Sequence, residues 1–315
     1  MSLSSFINIR DIVNILVPFT PKSLLMSLAK FQGNRVYRNN SCLRNAVYHN
    51  IETCYPDKFT RSAMDSIVRQ WFIFKHQKEL LVFTMSLMNS SRLEQVVPVE
   101  GLDHLDLAMK SGKGVVLMGS HLNSIAHFLG IYRLRKMGYD AHAVMPTQDD
   151  PFKPSKVGRA IVRMTGEGAL LDQIGAFYAQ FNIRPILRCL SSNGIALLLG
   201  DGFHSTAFVP VNFMGRKVNF TTGPVAVARI SGATLLPAFM TGSSPDRLKM
   251  VIGKPLHVTE NAGKDQDAEI VQQYACLLEH NIEQNIPGWQ HWEFENILGL
   301  MKKIQDTSLQ DRLTV

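Results

Sequence analysis

The sequence has little cysteine, and its cysteines are too widely spaced for a zinc site or a disulfide framework. The 315 residues contain four, Cys42, Cys54, Cys189 and Cys276, and none forms a Cys-x-x-Cys motif. Zinc sites and small disulfide-rich folds both use closely spaced cysteines. We therefore expect no bound metal, and reduced thiols as in a cytoplasmic protein.

The sequence also lacks an apolar run long enough to cross a membrane. Its most apolar early stretch, 12–31, is interrupted by two prolines and two lysines, whereas a span needs about 20 predominantly apolar residues. The N-terminus has no secretory signal pattern. Leu24, Leu25, Leu28 and Phe31 share one helical face with lysines at its edge. Such a face is typical either of a helix packed on the core or of one lying on a membrane surface.

Charge is sparse, at 19% of residues against 45% hydrophobic. This balance excludes a disordered chain and supports a large core. The net charge of +7 favours anionic partners. Because the basic residues are scattered and no nucleic-acid-binding motif is present, we expect no nucleic-acid partner.

The pattern of apolar residues changes near residue 96. Residues 1–95 read as mainly helical, with 61–88 apolar at helical spacing. Short continuous apolar runs then alternate with helical patterns at 114–118, 141–145, 195–199 and 235–239, followed by a helix near 267–284 and a tryptophan-rich end. This alternation predicts an α/β fold with a central, mostly parallel sheet flanked by helices. We expect one domain over 1–315, with a helical N-terminal layer (1–95) and an α/β core (96–300).

Two predicted strands end in polar residues. Ser120 and His121 follow the run 114–118, and Asp201 follows the run 195–199. Ligands collect at the carboxyl ends of strands in such sheets. A histidine there is a candidate general base, although it can equally cap a helix or bond within the loop.

The segment Ser111–His121 resembles the first motif of the bacterial lipid A biosynthesis acyltransferases, within the lysophospholipid acyltransferase superfamily. Further resemblances follow in order over about residues 14–298, at Asn50–Asp57, Val99–Leu105, Gly200–Gly202, Val209–Arg216 and Thr221–Ala233. The resemblance implies a glycerolipid acyltransferase-like fold. It also implies transfer of a fatty acyl group from acyl carrier protein or acyl-CoA to a hydroxyl of a lipid or sugar. The acyl thioester is then a co-substrate, and no cofactor is needed.

The sequence departs from that family at one catalytic position. The family signature is His-x-x-x-x-Asp/Glu, but the residue five after His121 is Ala126, and no other histidine has an acid at that spacing. Three interpretations stay open: His121 acts alone, another carboxylate replaces the missing acid, or activity is lost. Asp201 is the candidate replacement, although it can also position substrate. An amine acceptor depends less on a base, so N-acylation stays open beside O-acylation. The alternative function is a non-catalytic relative that binds lipid or acyl carrier protein.

The resemblance also implies a set of substrate-binding residues. Ser124 stands where the family usually has asparagine, and its hydroxyl is a candidate oxyanion donor or simply a helix-start residue. The full set is Asn123, Ser124, Gly215, Arg216, Thr222, Gly223 and Arg229.

The family's acceptors are usually embedded in a membrane leaflet. We therefore expect a cytoplasmic protein with a reversible, peripheral contact on the inner face of the inner membrane. We also expect the acyl chain to lie in an apolar groove bordered by the N-terminal helices that carry Leu24, Leu25, Phe72 and Phe74.

Overall fold

The computed structural model describes residues 21–83, 89–145, 176–178, 183–202, 205, 207–245, 247–259, 264–294, 297 and 299. Four helices come first: α1 (Lys22–Asn39), α2 (Ser41–Cys54), α3 (Arg61–Phe83) and α4 (Ser90–Val96). The predicted helical N-terminal layer is thus confirmed for the described residues. Residues 12–20 of the early apolar stretch lie outside them.

Helix α1 packs closely against α3 along one face. Leu25, Ala29 and Gly33 recur every four residues and are buried, which is the spacing of a single helical stripe. A Cβ atom at Gly33 would lie 2.6 Å from the Cα of Ile73. The two helices therefore touch backbone to backbone, and only glycine fits at this crossing.

The predicted apolar face of α1 is divided between core and solvent. Leu25 is buried, whereas Leu24, Leu28 and Phe31 are 51%, 53% and 67% exposed. Phe72 and Phe74, in contrast, are fully buried in the core. Leu25, Phe72 and Phe74 are therefore core residues and Leu24 is on the surface, and the acyl-chain groove bordered by the helices that carry them stays a prediction.

A seven-stranded sheet follows, in the order β1-β9-β8-β2-β5-β3-β4. Its strands are β1 (Val99–Glu100), β2 (Val115–Gly119), β3 (Ala141–Met145), β4 (Ala176–Tyr178), β5 (Ile195–Leu199), β8 (Thr234–Thr241) and β9 (Lys249–Ile252). All neighbours pair in parallel except β8 and β9. The α/β fold with a mostly parallel sheet is confirmed, and strands lie at the four predicted runs. The single-domain organisation stays a prediction.

Helices cover this sheet and connect its strands. They are α5 (Leu102–Met109), α6 (His127–Lys136), α7 (Arg184–Ser191), α8 (Gly223–Ser231) and α9 (Lys264–Gln284). Short 3-10 turns lie at Ser124–Ala126, Ile286–Gly288 and Gln290–Glu293. None of the helices in the described part of the chain is long and apolar enough to cross a membrane.

A separate antiparallel hairpin joins β6 (Phe208–Phe213) to β7 (Arg216–Thr221). Met214 and Gly215 form its turn with φ of 51° and 71°, the left-handed conformation that tight two-residue hairpin turns require. Buried and exposed residues alternate along β6, so this strand escapes a search for continuous apolar runs. Its Phe213 packs against Trp289, with ring centroids 5.7 Å apart.

Candidate active site

The register of the central strands brings His121 and Asp201 together. Gly119 at the end of β2 pairs with Leu199 at the end of β5. His121 and Asp201 each follow two positions after these paired residues. His121 Nδ1 lies 2.8 Å from Asp201 Oδ1. Because an ionised carboxylate only accepts hydrogen bonds, we assign the hydrogen to Nδ1. In the neutral imidazole with this tautomer, Nε2 of His121 carries no hydrogen and can accept a proton.

Asp201 is held from several directions at once. The backbone N–H of His121 lies 2.9 Å from each of its carboxylate oxygens, and Trp289 Nε1 donates to Oδ2 at 3.0 Å. Burial by itself raises the pKa of this carboxyl, but the neighbouring His121 and the hydrogen bond from Trp289 outweigh it and hold the pKa well below its usual range. A fully buried carboxylate therefore stays ionised beside the histidine.

A segment near the end of the described chain, Trp289–His291, runs alongside the His121 loop. Leu122 and Trp289 form an antiparallel bridge, and the Gln290 N–H donates to the His121 carbonyl at 3.0 Å. His291 Nε2 lies 2.9 Å from the Asp201 carbonyl oxygen. In the sequence, the tryptophan-rich composition of this segment is the one feature that points to Trp289–His291.

Ala126, five residues after His121, lies in the core. It is fully buried and belongs to the apolar cluster that also contains Leu117, Leu129 and Ala238. The position that carries an acid in the family signature is therefore apolar here. Asp201 occupies the hydrogen-bonding position next to His121 instead.

The Asn123 side chain forms hydrogen bonds within the protein. It has a left-handed φ of 50°, and its amide donates to the carbonyls of Met240 and Gly242 at 3.0 and 3.1 Å. Its Oδ1 accepts from Lys78 Nζ at 2.8 Å. These bonds fix the loop after His121. They also occupy both the amide nitrogen and the amide oxygen of a side chain that we expected to bind substrate.

Lys78, which donates to Asn123, carries no recognisable sequence signal. It stands in the polar stretch Lys75–Glu79 of α3, and it also donates to the Gly288 carbonyl at 3.3 Å. Burial lowers the pKa of Lys78 to about 7. The residue ties the N-terminal layer to the site loop.

Ser124 borders a cavity of about 60 Å³ between α3 and the site loop. Its hydroxyl donates to the Gln290 side chain. Trp71, Lys75 and Ile125 are among the other lining residues. Ser124 is thus close to the loop of His121, as expected of a residue that contacts substrate, and its role stays a prediction.

The remaining predicted site residues lie on the hairpin and on α8. Gly215 is in the hairpin turn, and Arg216 donates to the Thr53 carbonyl at 3.4 Å. Arg229 Nη2 pairs with Asp267 and joins α8 to α9.

Thr222 and Gly223 stand at the start of α8. Thr222 Oγ1 donates to the Ala207 carbonyl at 3.4 Å, and the Gly223 N–H donates to Thr221 Oγ1 at 3.1 Å. Substrate contact at these five positions, Gly215, Arg216, Thr222, Gly223 and Arg229, stays a prediction.

Two groups of side chains in the described residues contain enough ligand atoms for a metal ion. One is His121, Asp201 and His291, and the other is Asp140, His142 and Cys189. In the first, hydrogen bonds already join the atoms that a metal would need. In the second, burial raises the pKa of the Cys189 thiol to about 12, which disfavours the thiolate. The expectation of no metal stays a prediction.

Comparison with known proteins places this chain in a family. Phosphatidylinositol mannoside acyltransferases from Mycobacterium tuberculosis (strain CDC 1551 / Oshkosh) and Mycolicibacterium smegmatis are each 25% identical, over 186 and 184 residues. These alignments cover 58% of this chain and 54% and 55% of the relatives, so the chain spans about half of their length. The 1-acyl-sn-glycerophosphate acyltransferase PlsC from Thermotoga maritima aligns with 87% of this chain and 99% of its own, at 12% identity and a TM-score of 0.38. The bacterial lipid A biosynthesis acyltransferase model matches residues 6–293, and the chain belongs to that family.

Proposed function

We propose that the protein transfers a fatty acyl group from a thioester to a hydroxyl or amine, with His121 as general base and Asp201 as its orienting carboxylate. The observation that carries this proposal is the 2.8 Å contact between His121 Nδ1 and Asp201 Oδ1. It supplies the carboxylate that the sequence lacks at Ala126. Family membership supports the reaction class.

The proposed reaction follows from the hydrogen positions at His121. Nδ1–H donates to Asp201, so Nε2 removes the acceptor's proton as the acceptor attacks the thioester carbonyl. The tetrahedral intermediate collapses, the C–S bond breaks, and the imidazolium returns its proton to the departing thiolate. Asp201 stays ionised and stabilises the imidazolium. No covalent enzyme intermediate is required if both substrates bind together.

The site also leaves room beside the proposed base. A Cβ atom at Gly202 would lie 3.7 Å from His121 Cε1, the ring atom between the two nitrogens. The Asp201-Gly202 pair thus supplies a carboxylate on one side of the ring and no side chain at its edge. We propose that the acceptor reaches Nε2 there, and that the Ser124 hydroxyl turns from Gln290 to donate to the developing oxyanion.

The proposed donor is acyl carrier protein or acyl-CoA, and the proposed acceptor is a lipid, a sugar or a specialised metabolite. The mycobacterial relatives are named for acylation of a lipid-linked mannoside, which supports a hydroxyl of this kind. A neutral amine needs less help from a base, so an amine acceptor remains within the proposal.

His121→Ala tests the assignment of the base. We expect turnover to fall at least about a hundredfold, the usual contribution of general-base catalysis. The measurement is acyl transfer from acyl carrier protein or acyl-CoA pools to a lipid and metabolite extract, with added acyl mass read by mass spectrometry.

His142→Ala is the matched control for that test. His142 lies near the amino end of β3, whereas His121 follows the carboxyl end of β2. Removing the His142 side chain should therefore leave turnover within a few-fold. Near-normal turnover of a folded His121→Ala protein would remove His121 from the mechanism. No acyl transfer by the unaltered protein from any donor would favour the non-catalytic alternative.

We further propose that α1 docks the protein on an anionic membrane surface. Leu24, Leu28 and Phe31 form an exposed apolar stripe, and Lys30 and Arg35 are exposed on the same helix. The net charge of +7 favours anionic lipid. An interfacial helix with such a stripe binds by combining apolar insertion with electrostatic attraction.

Vesicle co-sedimentation tests this docking. Replacing Leu24, Leu28 and Phe31 together by serine should greatly reduce binding to anionic vesicles, whereas Ile230→Ser, at an equally exposed position on α8, should not. Binding should also weaken as the Debye length falls from about 10 Å at 0.1 M salt to about 3 Å at 1 M. If the unaltered protein does not co-sediment with anionic vesicles at low salt, the peripheral-membrane proposal fails.

A further inference from the structure

A second histidine, His291, lies against the face of His121. The ring centroids are 4.0 Å apart and the planes are tilted by 30°. His291 is 1% exposed, so the contact excludes water from that face. Stacking of this kind restricts the rotation of the His121 ring, whereas the contact with Asp201 restrains only its Nδ1 edge.

His291 also holds the backbone of Asp201. Its Nε2 is 2.9 Å from the Asp201 carbonyl oxygen, and since a carbonyl only accepts, Nε2 carries the hydrogen. Burial lowers the pKa of His291 to about 3. The ring is therefore neutral at working pH and adds no charge that would compete with His121 for Asp201.

We propose that His291 is a positioning residue, which fixes the ring plane of His121 by stacking and fixes Asp201 by its Nε2–H bond. This inference rests on the proposed function of His121. A histidine from the C-terminal end of the described chain would thus hold both His121 and Asp201, the carboxylate that replaces the usual acid of the family signature.

Trp289 supports the same arrangement from the other side of the carboxylate. Its Nε1–H bonds to Asp201 Oδ2 at 3.0 Å, and its ring meets that of His291 edge-on at 5.3 Å. Gln290, between them, is anchored to the His121 carbonyl. Three consecutive residues therefore contact the catalytic pair, which orients the His291 ring relative to His121.

Two substitutions separate the two roles of His291. His291→Phe keeps an aromatic ring against His121 but loses the bond to Asp201, whereas His291→Gln keeps an N–H donor but loses the ring. We expect each to lower kcat about 10–100-fold, the scale found when a metal-ligating histidine loses the hydrogen-bond partner that orients it. The KM for the acyl donor should change by less than about threefold, since His291 acts through His121 and not through the substrate.

A double-mutant cycle distinguishes positioning from a general structural role. If His291 acts through His121, His291→Gln should cost nothing further in a His121→Ala background. An equal loss in both backgrounds, or a rise in KM that accounts for the whole effect, would overturn the proposal. If His121→Ala alone retains normal turnover, the proposed function fails instead, so the two failures are distinguishable.

Nitrogen NMR of the unaltered protein gives a readout that does not depend on a folded variant. The His291 ring should remain neutral, with its hydrogen on Nε2, throughout pH 5–8. A neutral His291 ring with its hydrogen on Nδ1 instead of Nε2 would contradict the proposed hydrogen bond and the proposal with it.

Discussion

Asp201→Asn should abolish most of the acyl transfer, lowering kcat by about 10⁴, the cost seen when the orienting aspartate of a catalytic triad becomes an amide. The Asp201 carboxylate accepts from His121 Nδ1, the His121 N–H and Trp289 Nε1. An amide has one oxygen and one NH₂ group, so it must place a donor against one of these donors. If the NH₂ group faces Nδ1, the ring adopts the opposite tautomer, and Nε2 can no longer accept the proton.

Asp106→Asn is a matched control for Asp201→Asn, because the chemical change is the same. Asp106 is on α5, where it accepts from the Tyr139 hydroxyl. We expect its substitution to leave kcat within a few-fold. Thermal unfolding of each variant shows whether the loss at Asp201 reflects chemistry or folding. Asp201→Asn protein with kcat within tenfold of normal would show that His121 acts without this carboxylate.

The sequence predicts both members of this pair but not their contact. His121 and Asp201 each follow a continuous apolar run, and that pattern is enough to place them at the carboxyl ends of buried strands. Whether they meet depends on strand order. β3 and β4 come between β2 and β5 in the chain, yet β5 lies directly beside β2 in the sheet. Hydrophobic periodicity carries no information on that order.

The other residues of the site come from segments without a regular pattern. His291 and Trp289 reach Asp201 from 90 and 88 residues further along the chain, through a short turn rather than a strand or a long helix. Lys78 is in the polar run 75–79 of α3, so its sequence context predicts a solvent-exposed side chain and not a buried bond to Asn123. Such contacts depend on tertiary packing, which single-residue patterns do not encode.

The resemblance to a family guides the search for the base but misleads at one position. It identifies His121 and the strand end at Asp201, and it also directs attention to the residue five after the histidine. In this chain that residue, Ala126, lies in an apolar cluster. The carboxylate needed by the proposed mechanism is supplied by a neighbouring strand. Site geometry therefore decides the assignment where the motif is incomplete.

Restoring the acid of the family signature should damage this protein rather than improve it. Ala126 has no exposed surface and shares its cluster with side chains such as Leu117 and Leu129. Ala126→Glu would bury a carboxyl group among them, and Asp201 already occupies the hydrogen-bonding position at His121 Nδ1. We expect the free energy of unfolding to fall by about 3–5 kcal/mol, the scale for an uncompensated buried charge.

Ile125→Glu provides the matched comparison for Ala126→Glu, one position away. Ile125 is only partly buried and borders the cavity beside α3, so a carboxylate there can stay hydrated, and its cost should be much smaller. Urea unfolding of both variants measures the difference, and acyl transfer by Ala126→Glu shows whether catalysis changes. A stable Ala126→Glu protein with higher turnover would mean that the loop can turn this position toward His121. In that case Asp201 would not be the sole orienting carboxylate, and the family's usual pairing would still be accessible to this chain.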